Sequence, residues 1–126
     1  MNPINLISDL TKKEKRKVLF ALNELIERYE AAACGDQEAQ LRVMHDFGKR
    51  EYCPLCQLNV DCTFCPAFWY CGGCSHGQLQ HSYIVLRYFL TLPHKKWYPQ
   101  MSTVLKKRVQ IYEEIRDDLT RRWNLK

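Results

Sequence analysis

The sequence predicts an all-α single domain spanning residues 1–126, a small bundle of about four helices carrying one irregular, metal-ordered, cysteine-rich insert. Three observations predict it. Apolar residues recur at helical spacing in four stretches, and caps or breakers bound those stretches. Between the second and third lies a run, residues 52–76, with neither a helical nor a strand period, and it holds six of the seven cysteines. At 126 residues, 46% hydrophobic and 26% charged, the chain is long and apolar enough to bury a core. Five glycines and five prolines exclude collagen-like and low-complexity readings.

The first helix opens at Thr11-Lys12-Lys13-Glu14, the form of a capping box, in which hydroxyl and carboxylate trade bonds with unpaired backbone N–H groups. Val18, Leu22, Leu25 and Tyr29 then step by four, three and four along one face, and Gly35 follows Cys34 as a stop. Cys34 is expected to be a buried helix-end residue. A shorter second helix is expected over Asp36 to Phe47, with Leu41, Met44 and Val43 inward and Gly48 after it. The third, Gly77 to Leu92, carries Leu79, Tyr83, Leu86 and Leu90 on one stripe and is apolar on much of the rest. It is therefore expected to be the central, most buried element, ended by Pro93. The last runs roughly from Ser102 to Trp123, with Leu105, Val109, Tyr112, Ile115, Leu119 and Trp123 inward.

The insert contains Cys53-Pro-Leu-Cys56, Cys62-Thr-Phe-Cys65 and Cys71-Gly-Gly-Cys74, three C-x-x-C pairs separated by two gaps of five residues. A C-x-x-C turn aims two sulfurs at one point, and two such turns complete a tetrahedral four-sulfur site. A 25-residue loop without structure of its own is uncommon in a compact domain, so an ion is expected to order it. A disulfide reading needs an oxidising compartment, and the N-terminus shows no signal peptide, so a cytoplasmic location is expected. Zinc is the expected ion. One zinc would use four thiolates; two would need His76 with His81 or His45, or thiolates that bridge. An iron–sulfur cluster on four of the cysteines is the alternative. The candidate ligands are Cys53, Cys56, Cys62, Cys65, Cys71, Cys74 and His76.

The stretch Cys53-Pro-Leu-Cys56, Cys62, Cys65-Pro66 and Cys71 resembles a pattern in small bacteriophage and mobile-element proteins, over about 22 of the 126 residues. The resemblance implies metal binding and a phage-like origin, with inhibition of a host defence or transcription complex as one use.

A structural role for the metal is expected, because the insert has no Glu and only Asp61 as a base. No nucleophile with a His and acid partner, phosphate-cradling glycine loop or helical His-Glu motif is apparent, so no enzymatic activity and no small-molecule substrate are expected. Function is expected by binding. The net charge of +5 is uneven: residues 77–126 hold ten basic against four acidic side chains. Lys12, Lys13 and Arg16, Lys95 and Lys96, and Lys106, Lys107 and Arg108 are candidate contacts to nucleic acid or a nucleoprotein complex, if they share a side. Trp69, in Phe68-Trp69-Tyr70, is either core or a stacking and docking residue. The alternative is a protein-binding adaptor whose aromatics contact the partner. No membrane partner is expected, since no apolar run approaches the roughly 20 residues a spanning helix needs.

Overall fold

The computed structural model describes residues 10–58, 65–93 and 97–124. The expected roles of Cys62, Lys95 and Lys96 fall outside the described residues. Among those described there are six α-helices and no strand. Four are long: α1 (Lys12–Ala33), α2 (Gln37–Asp46), and, numbered after two short ones, α5 (Gln80–Leu90) and α6 (Pro99–Trp123). The short helices α3 (Pro54–Gln57) and α4 (Pro66–Cys71) lie in the stretch expected to be irregular, and 3-10 turns at Arg50–Tyr52 and Gly77–Leu79 flank them.

The ends form for the reasons the sequence suggests. Glu14 N–H donates to Thr11 Oγ1 at 3.1 Å while Thr11 N–H donates to Glu14 Oε1 at 3.0 Å, closing the capping box of α1. Asp36 caps α2 by accepting from Ala39 N–H at 2.9 Å. No helix is long and apolar enough to cross a membrane among the described residues.

Helices α1 and α6 lie antiparallel, as three contacts fix. Tyr29 meets Tyr112 with ring centroids 6.3 Å apart, Arg116 Nη1 donates to Asn23 Oδ1 at 3.0 Å, and Lys15 Nζ sits 5.9 Å from the Trp123 ring. Leu22, Leu105 and Leu119 between them are wholly buried. The central element is therefore α6, which buries nine residues including Met101, Tyr112 and Ile115, and not α5. Only Ser82 and Leu86 are buried within α5, and its Ile84 and Tyr88 are about 60% exposed (59% and 61%). Apolar residues all round a helix do not say which side finds a neighbour. In α2 Val43 is buried and Met44 packs partly buried against the core, as expected, but Leu41 faces solvent and Gln40 is buried in its place, its Nε2 donating to Ala32 O. Cys34 caps α1 in an exposed position rather than a buried one.

Candidate metal and anion centre

Two of the cysteine pairs share a construction. Cys53 and Cys65 each stand at a helix N-cap with proline at the first helical position, where a missing N–H costs nothing and the fixed φ suits the helix. The helix start then turns backbone N–H groups onto the sulfur. Those of Cys56 and Leu55 point at Cys53, and those of Ala67 and Phe68 at Cys65. Cys71 receives Gln78 and Leu79 N–H in the same way. These N–H groups favour thiolate charge at the three sulfurs, although neither Cys53 nor Cys65 closes a side-chain cap bond, and burial outweighs them at Cys65 and Cys71.

The thiols of Cys53, Cys56, Cys65 and Cys74 also feel one another electrostatically. The Cys56 S–H donates to Cys53, and this bond, with the backbone donors and nearby Arg108, holds the Cys53 thiol down at about 6 against the opposing effect of burial. Cys56, tied to Cys53 and partly desolvated, is raised. Burial pushes Cys65 up to about 12. Among the described residues, no three Cys, His, Asp or Glu side chains are drawn together as a ready metal cage. The arrangement brings four of the predicted ligands into one electrostatic neighbourhood and leaves His76 outside it. His76 is exposed, with Nδ1 at 3.3 Å from Ser75 Oγ, and His45 pairs with Asp46 at 2.7 Å.

Glycines shape the third pair. Gly72 and Gly73 take φ of +86° and +147°, and Gly77 takes +57° where an added Cβ would lie 2.7 Å from Cys71 O. Only a residue without a side chain lets the chain fold back so tightly over Cys71.

Arg108 is the correction that matters most. Expected on a phosphate-binding surface, it is 2% exposed. Its Nη1 donates to Leu79 O at 3.2 Å and Ser82 Oγ at 2.9 Å, and its Nη2 to Cys74 O at 3.2 Å and Tyr112 OH at 3.1 Å. The guanidinium also lies 5.3–5.9 Å from the rings of Phe47, Tyr112 and Tyr29. Its Nε is the one buried side-chain polar atom without a partner among the described residues. The signal was available in the spacing: 101, 105, 108, 112, 115 and 119 step by four, three, four, three and four, so Arg108 belongs to the apolar stripe of α6. For Trp69 the structure decides between the two readings, against a docking role. The side chain is buried and meets Trp123 edge-on at 6.5 Å, so it is core and not an exposed platform.

The cationic surface divides. Lys12, Lys13, Arg16 and Lys17 are exposed on the first turns of α1. Lys13, Arg16 and Lys17, with Phe20, line an open groove of about 510 Å³ against Pro54, Gln57 and Leu58 of the α3 region. Phe20 is 72% exposed. The antiparallel packing places this cluster near the C-terminal end of α6, whereas Lys107 precedes Trp123 by 16 residues, roughly 24 Å along the helix. Lys106 and Lys107 are exposed but belong to the far end. At the near end Arg121 and Arg122 are both held by Asp118, which also accepts from Tyr70 OH. That hub lowers the Asp118 carboxyl to about 2, the Tyr70 bond contributing most and the arginines the rest.

No protein-family model matches the chain, and no curated protein or solved structure matches it.

Proposed function

We propose that the protein is a non-enzymatic binding module whose cysteine segment is ordered by a structural zinc centre and whose α1 surface docks on nucleic acid or a nucleoprotein complex. The observation that carries the metal reading is the donor arrangement: four mutually sensing thiols, two of them at helix N-caps with two backbone N–H groups each. Thiolate ligands need such donors, and a structural zinc needs four thiolates. Cys53, Cys56, Cys65 and Cys74 are the residues that would hold the ion, with Cys62 and Cys71 as the remaining thiols of the motif. The ion would supply folding energy to a segment whose helices, of four and six residues, are too short to stand alone.

The docking reading rests on Lys12, Lys13, Arg16 and Lys17. The ion pairs among the described residues lie elsewhere, on Arg28, Arg42, His45, Arg116, Arg121 and Arg122. Positive charge on the first turns of a helix opposes its dipole, so these side chains carry a cost that a phosphate partner would offset. Phe20 beside them offers a ring on which a base could stack. The phage resemblance of the cysteine pattern favours a nucleoprotein machine of the host as the setting.

Two measurements test the two halves separately. Metal analysis with an absorption spectrum, on protein purified without added metal or chelator, is expected to give one or two zinc per chain and no visible band; Cys53→Ser with Cys56→Ser should lose it. Iron with labile sulfide would replace this reading with a redox one. Binding to mixed-sequence duplex and to RNA, titrated against salt, should show a log–log slope that falls by about three in the triple variant Lys12→Glu, Lys13→Glu, Arg16→Glu. Lys106→Glu with Lys107→Glu should change that slope by less. Salt-independent binding, or none to either nucleic acid, favours the protein-binding adaptor.

A further inference from the structure

Arg108 is a charge in the core without a carboxylate. It is 2% exposed, and its four hydrogen bonds go to two carbonyls and two hydroxyls. None of the ion pairs among the described residues includes it. A buried charge is ordinarily paired, because it has given up its hydration. The rings of Phe47, Tyr29 and Tyr112 attract a cation but carry no net charge. Nor do the two phenols become anions near neutral pH: burial pushes Tyr29 up to about 12 and raises Tyr112 strongly as well.

Sulfur is what faces the guanidinium. Arg108 Nη2 donates to the backbone carbonyl of Cys74, and Arg108 lines the same cavity, of about 410 Å³, as Cys53, Cys56 and Cys74. Its positive charge favours the thiolate form of Cys53 and of Cys71, and Cys74 acts back on it. The sign of this arrangement separates ligand sets. Zinc with four thiolates is a dianion, and exchanging one thiolate for imidazole leaves a monoanion. With two thiolates and two imidazoles it is neutral. A cation built into the core beside the thiols is attracted by the anionic centres and gains nothing from the neutral one.

We infer that Arg108 is the counter-charge of an anionic, thiolate-rich metal centre, a positioning residue that acts on the ion through the sulfurs that would hold it. This rests on the zinc reading above and deepens it, since it assigns the sign of the centre's charge and the side chain that balances it.

The test is competition for zinc between a chromophoric chelator and the zinc-loaded protein as purified, with circular dichroism to confirm the fold of each variant. Arg108→Gln is neutral yet still donates to carbonyls, and it should weaken zinc affinity about 10–100-fold. Arg108→Met is a second neutral variant of similar length. Arg108→Lys restores the charge and should stay within about fivefold of the wild type. Ser82→Ala with Tyr112→Phe removes two of the four hydrogen bonds and keeps the charge; it should stay in that same range. Cys74→His lowers the negative charge of the centre by one, so in that background the loss from Arg108→Gln should shrink about threefold or more. Unchanged affinity in the neutral variants overturns the counter-charge and leaves the zinc reading standing. So does a loss in Arg108→Lys or in the hydroxyl variant as large as in Arg108→Gln, or a loss of equal size with Cys74→His. A wild-type protein without zinc and without affinity for it overturns both.

Discussion

The α1–α6 pair and the segment from Cys53 to Leu79 are held together by different physics. The pair buries a continuous apolar stripe: Val18, Leu22, Leu25, Leu105, Ile115 and Leu119 are all buried, spread over about four turns of α6, so its stability is divided among many replaceable contacts. The cysteine segment buries Leu55, Ala67, Trp69 and Leu79, but its course is set by point features: two Cys-Pro helix starts, three positive-φ glycines and N–H groups turned onto sulfur. One region tolerates change in proportion to volume removed. The other has a few positions at which a single atom is decisive. Arg108 joins them, reaching from α6 to Cys74 O and Leu79 O.

Leu105→Ala should break the comparison from the helical side and have the largest effect. The side chain is wholly buried, so its removal should cost about 2–5 kcal/mol and lower the unfolding midpoint of both regions together in denaturant titration. Gly77→Ala should act on the other side. The new methyl meets Cys71 O in a left-handed backbone, at a cost of about 1–3 kcal/mol. The expected result is weakened metal retention and altered near-ultraviolet dichroism, with far-ultraviolet helicity nearly intact; a uniform loss of both would dissolve the distinction between the regions.

The smallest effect should come from Asp118→Asn, which removes the hub between Tyr70 of α4 and the end of α6. The folded carboxyl titrates at about 2, below its ordinary value of 3.8. Its stabilisation is therefore present above about pH 4 and is lost as the pH falls toward 2. The wild-type midpoint should fall across that window, and the variant should start lower and fall less steeply, as followed by thermal melts at each pH.

The sequence made the helical pair legible because burial over 22 and 25 residues leaves a period and caps at the ends. It made α3 and α4 illegible because helices of four and six residues are too short to show one. Trp69 could be read either way from composition; only the meeting with Trp123, 54 positions on, decides it. Arg108 was hidden by its neighbours. Lys106-Lys107-Arg108 reads as one basic run, yet a helix turns successive residues by 100°, so adjacent charges face different surroundings. The thiol neighbourhood was legible as chemistry, from spacing, but its backbone donors were not, since they depend on the conformation after each cysteine.

The antiparallel meeting of Lys15 with Trp123 has a consequence for synthesis. At roughly 5–20 residues per second, α1 leaves the ribosome about 5–20 s before the helix that covers it exists. During that interval Leu22, Leu25 and Ile26, buried in the finished protein, lack the α6 face that covers them.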